Sequence, residues 1–101
     1  MNSIINDTDL SFEDGYQVIY FYITDMLFHK RMSNVFLNLE KKYKDVKFYS
    51  ADVYIVKSFV KRFNLVEAPT ICIFHNGKEK KRMSGIIMAS ALKSEFYNLM
   101  N

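Results

Sequence analysis

Glu67-Ala68-Pro69-Thr70-Ile71-Cys72-Ile73-Phe74-His75-Asn76-Gly77-Lys78 is the stretch that decides how this chain folds. Thr70 to His75 is a short apolar, β-branched run of strand length. It ends on Asn76-Gly77, a pair that accepts positive φ at both central turn positions, so a tight hairpin is expected there. The returning segment, Lys78 to Ser84, carries Lys78, Lys80, Lys81 and Arg82. Such charge suits an edge strand that must not recruit other strands. Gly85 breaks it, and Met88, Ala91, Leu92, Phe96 and Leu99 then form the apolar stripe of a closing helix.

Upstream of that hairpin the pattern alternates between strand and helix. Gln17-Val18-Ile19-Tyr20-Phe21-Tyr22-Ile23 is continuously β-branched and aromatic, as in a strand covered on both faces. Thr24 and Asp25 end it, and their side-chain oxygens are expected to cap the next helix. In that helix Met32, Val35, Phe36, Leu39 and Tyr43 share one face, and Lys41, Lys42 and Lys44 oppose the negative end of its dipole. Residues 46–53 read as a strand, with Val46, Phe48 and Ser50 on one face and Lys47, Tyr49 and Ala51 on the other. Val56, Phe59, Val60 and Phe63 make a second helical stripe. In front of all this lies a polar stretch, with a brief strand or arm at Ile4-Ile5 and then a short helical turn. The order is β-α-β-α-β-β-α, an α/β fold with a mixed sheet and helices on both faces.

With 101 residues, half of them apolar and 16% aromatic, the chain has material for one domain over residues 1–101 and a core without metal or disulfide staples. No apolar run approaches a membrane span, and the opening residues lack a signal pattern. Cys72 is the single cysteine, so no internal disulfide forms and no cysteine-rich metal site is built. A cytoplasmic location, no membrane partner and no cofactor are expected. The net charge of +3 is mild. The basic residues of the 78–82 segment, with Lys61 and Arg62, are expected to keep an edge soluble rather than to bind nucleic acid.

This order of elements, with Ala68-Pro69-Thr70 before the third strand and Asn76-Gly77-Lys78 in the hairpin, resembles thioredoxin over nearly the whole chain. The resemblance implies that Pro69 is the family's cis-proline, facing the active site. It also matches Gly85 to the glycine closing the hairpin strand, and Ala91-Leu92-Lys93-Ser94-Glu95-Phe96 to the start of the terminal helix. The family's Trp-Cys-x-x-Cys-Lys falls on Asp25-Met26-Leu27-Phe28-His29-Lys30, where Met26 and His29 stand for the cysteines. Tyr20 takes the position of the buried acid. Shorter stretches, Phe21-Tyr22 and Lys41-Lys42-Tyr43-Lys44-Asp45-Val46-Lys47-Phe48, are similar to phosducin-like proteins. Residues 52–65 are similar in apolar pattern to the spliceosomal thioredoxin-like protein.

Disulfide exchange needs one thiolate to attack and a second thiol to resolve the mixed disulfide. With one cysteine the chain is expected not to be an enzyme. The expected role is a non-catalytic, redox-inactive adaptor that binds a protein or peptide through Met26, Leu27, Phe28, His29, Ala68, Pro69 and Thr70. Two readings stay open for the first three: core packing, or an apolar contact patch beside Pro69. His29 with Met26 gives only two ligands, so no metal site is expected and His29 is read as a solvent-facing helix residue. Cys72 reads as a buried thiol. Alternatives are a monothiol oxidoreductase acting through Cys72, and a subunit of a larger protein or ribonucleoprotein assembly. A homodimer joined through the apolar patch is also left open.

Overall fold

In the computed structural model, residues 1–25 and 28–100 of the chain are described. Five strands form one mixed sheet: β1 (Asn2–Ile4), β2 (Tyr16–Tyr22), β3 (Lys47–Asp52), β4 (Thr70–His75) and β5 (Lys78–Ser84), in the spatial order β1-β3-β2-β4-β5. The helices are α1 (His29–Lys42), α2 (Ser58–Arg62) and α3 (Ala89–Met100), with a single 3-10 turn at Asp7–Asp9. β3 is parallel to both β1 and β2, whereas β4 runs antiparallel to β2 and β5. The α/β reading of the sequence, with a mixed sheet and helices on both faces, is the fold observed.

Central β2 explains why its run is continuous rather than alternating. Val18 and Tyr20 point to one face, where they meet Met32, Val35, Phe36 and Leu39 of α1 and Leu92 and Phe96 of α3. Ile19 and Phe21 point to the other, against Phe59 of α2 and Phe63 just beyond it. A strand buried on both sides has no face left for polar residues. At the hairpin, Asn76 and Gly77 have φ of 52° and 81°, the conformation their sequence demands. β5 is a sheet edge, as its charge implies.

Three local expectations are corrected. Thr24 and Asp25 do not cap α1: the Thr24 hydroxyl donates to the Asp52 carboxylate, and Phe28, which has no capping oxygen, occupies the N-cap position. Val60 is exposed, because α2 spans only five residues and turns just Phe59 toward the sheet. Met88 precedes α3 instead of sharing its stripe. Its carbonyl accepts the Leu92 N–H, while its side chain stays 69% exposed.

The topology brings five chain segments to one end of the sheet: the exits of β1, β2, β3 and β5 and the entrance to β4. Among the described residues no helix is long and apolar enough to cross a membrane.

Candidate functional site

At that end the Ala68–Pro69 peptide is cis. Pro69 is buried, its carbonyl accepting the Gly85 N–H at 2.9 Å, which holds the end of β5 against the start of β4. Ala68 is half-buried, and its own N–H and C=O make no hydrogen bond among the described residues. An extended segment laid beside it would find a donor and an acceptor in strand geometry.

Above this turn lies a groove of about 430 Å³, walled by Phe28, Arg31, Met32 and Val35 of the α1 side and by Ile86, Ile87, Met88 and Ala89 before and at the start of α3, with Ala68 and Pro69 between. Its size is within the range of ligand clefts, and its lining is apolar except for Arg31. The Arg31 guanidinium sits 5.6 Å from the Phe28 ring centre and has no carboxylate partner among the described residues. Of the residues the sequence pointed to, Phe28, Ala68 and Pro69 therefore converge on one cleft, although 40 positions separate Phe28 from Ala68. Met26 and Leu27 lie outside the described residues.

Thr70 and His29 are placed differently. Thr70 is 1% exposed, and its hydroxyl donates to the Glu67 carbonyl at 2.7 Å, so it braces the turn from beneath. His29 is not the solvent-facing residue expected of it. Its ring stacks on Tyr22 at 4.1 Å, and its Nδ1 lies 3.2 Å from the Tyr20 hydroxyl. The phenol donates there when the imidazole carries its proton on Nε2. Burial raises the Tyr20 phenol well above its ordinary value, with Tyr22 adding to the effect, so it stays neutral in the physiological range. Asp52 lies under the same end. Burial pushes its carboxyl up, but hydrogen bonds from the Thr24 hydroxyl and from the N–H groups of Tyr54, Thr24 and Ile55 outweigh this and hold it below the usual carboxylate range.

Cys72 is fully buried in β4, and burial pushes its thiol up to about 11. A nucleophilic cysteine needs access and a lowered pKa, and Cys72 has neither. Among the described residues no group of three His, Cys, Asp or Glu side chains converges on a metal position.

The thioredoxin family profile matches residues 5–98. The chain belongs to the thioredoxin family. Solved structures agree at the level of the fold. Oxidised thioredoxin from Plasmodium falciparum superposes with a TM-score of 0.90 at 18% identity, covering 99% of this chain and 98% of that one. Oxidised mitochondrial thioredoxin 3 from Saccharomyces cerevisiae gives 0.83 at 23% identity, over 97% and 94%. Oxidised thioredoxin O2 from Arabidopsis thaliana gives 0.80 at 27% identity, over 87% and 77%. No curated protein matches the chain.

These comparisons correct the expectation that the chain is not an enzyme. Its family is thioredoxin, and the three structures above are thioredoxins solved in their oxidised forms. With a single cysteine, the chain has no second thiol of its own to resolve a mixed disulfide. Sequence reasoning also missed seven of the ten residues that line the groove. Met32 and Val35 were absorbed into the helix stripe, and Ile86, Ile87 and Met88 drew no functional reading. The usable signal was an apolar run, Gly85-Ile86-Ile87-Met88, at a position where a loop is normally polar.

Proposed function

We propose that this chain is an adaptor that holds an extended polypeptide segment in the groove over the Ala68–Pro69 turn. The observation that carries the reading is the convergence of Phe28, Pro69, Ile86 and Met88 on one apolar cleft beside the unbonded N–H and C=O of Ala68. Those two backbone groups would pair with the segment as a neighbouring strand does, and the cleft would take one of its large apolar side chains. Main-chain pairing supplies affinity with little sequence preference, and the pocket supplies selection. Arg31, the only charged residue of the lining, would favour an acidic residue flanking the apolar one.

Fluorescence anisotropy with a labelled, reduced and carboxymethylated unfolded polypeptide tests the reading. That probe has no free thiol, so binding is measured apart from exchange chemistry. Saturable binding is expected, weakened about tenfold or more by Ile86→Asp, which places a charge on the apolar wall. Equal affinity in wild type, Ile86→Asp and Phe28→Ala would remove the groove as the binding site.

A further inference from the structure

Helix α1 carries more positive charge than its own carboxylates offset. Lys30, Arg31, Lys41 and Lys42 stand against a single acidic residue, Glu40, which is already held in an ion pair. None of the four cations forms an ion pair among the described residues. No acidic residue occupies the first turn, where Lys30 and Arg31 sit at the positive end of the helix dipole. A second cleft, of about 230 Å³, lies between α1 and α3 and is lined by Asn38, Leu39, Lys42, Tyr43 and Lys93. The groove over Pro69 takes Arg31, Met32 and Val35 from α1 and Ala89 from α3. The cleft continues from there along both helices, with Asn38 and Lys42 beyond Val35 and with Lys93 one turn beyond Ala89. Both helices pack on the same face of the sheet, so groove and cleft follow one another along one crevice. Lys93 is exposed and unpaired among the described residues, because Glu95 of α3 is taken by Lys81 at 3.7 Å.

We propose that this cleft is a second subsite of the groove, and that the polypeptide held over the Ala68–Pro69 turn carries acidic side chains into it. The inference rests on the adaptor reading and extends it to the chemistry of the partner. That partner is an extended segment with one large apolar residue and with Asp or Glu at two points, one for Arg31 and one for Lys42 and Lys93. Length sets their spacing. Arg31 and Lys42 are eleven helical residues apart, about 16.5 Å at ~1.5 Å per residue, which an extended chain spans in about five residues at ~3.3 Å each. Charge selects the occupant. A basic segment would be repelled by Arg31, Lys42 and Lys93, and a neutral one would gain nothing from them.

Fluorescence anisotropy with three thiol-free, fourteen-residue peptides is the test. Each carries one Phe beside one Asp. The first has no other charge, and the other two add an Asp-Asp pair five residues before or after that Asp. One of the paired peptides is expected to bind about fivefold tighter than the first at low ionic strength, with the gain shrinking as salt screens it. Lys42→Glu and Lys93→Glu should each abolish the gain while moving the first peptide's affinity by less than about twofold. Both positions are exposed, so thermal unfolding of the variants checks that the fold is intact. Equal affinity for all three peptides overturns the inference, as does a gain that neither variant removes, and the adaptor reading survives either result. Binding of none of the three overturns both.

Discussion

The two ends of the sheet are built in opposite ways. At the hairpin end, polar groups are satisfied by one another. Gly15 donates its N–H to Asn76 Oδ1 at 2.7 Å, and Asn76 returns its own N–H to the Gly15 carbonyl at 3.0 Å. Buried Gln17 donates through Nε2 to the Ser11 carbonyl and accepts the Glu13 N–H, both at 2.9 Å. Tyr16 stacks on His75, and Glu13 pairs with Lys47. At the groove end, Ala68 keeps an unbonded peptide group, α1 has no side-chain cap, and six large apolar residues face water. One end consumes its interactions in closing the fold, and the other leaves them available. In general, an unclosed end on an otherwise satisfied domain marks where a partner belongs.

The contrast is broken most severely at Gln17. Gln17→Leu should cost about 2 kcal/mol in denaturant unfolding, because it strands the Ser11 carbonyl and the Glu13 N–H. Gly77→Ala should cost about 1–2 kcal/mol. Its φ is 81°, while the nearest atom to an added Cβ is 3.8 Å away, so the loss is backbone strain rather than collision.

Asp52→Asn probes a buried polar anchor at the groove end, with an expected loss of about 1 kcal/mol at neutral pH. The native carboxyl lies below its unfolded value of about 3.9, so its contribution is complete above that pH and is lost as the pH falls through the folded value. Wild type and variant should therefore differ in thermal stability at pH 7 and converge in acid. A gap of constant size across that range would contradict the anchoring role. The smallest stability effect belongs to Met88→Ser, expected within about 0.5 kcal/mol of wild type because the side chain is exposed. Its polypeptide affinity should nevertheless fall several-fold. A stability loss as large as that of Gln17→Leu would return Met88 to the core and dissolve the contrast between the two ends.

The sequence revealed the hairpin end more fully than the groove end, for a physical reason. Asn76-Gly77 dictates its turn by local sterics, and the apolar run of β2 reports burial on both faces without reference to distant residues. The groove is assembled from three remote segments, and its walls are apolar residues whose spacing is compatible with burial. Met32 and Val35 both serve the α1 stripe and line the cleft, so periodicity gives them a core role that is true but incomplete. Met88 fits the period of the next helix, yet the helix begins one residue later. His29 was misplaced because its stacking partner Tyr22 belongs to the strand before it, a contact that helical spacing does not encode.

Amide chemical-shift mapping of the ¹⁵N-labelled protein, titrated with the carboxymethylated polypeptide, tests the adaptor reading most directly. Saturable shifts are expected at Phe28, Arg31, Ala68 and Ile86–Ala89, with Gly15, Gln17 and Gly77 unmoved. Shifts centred on the hairpin end, or none at saturating probe, would contradict it.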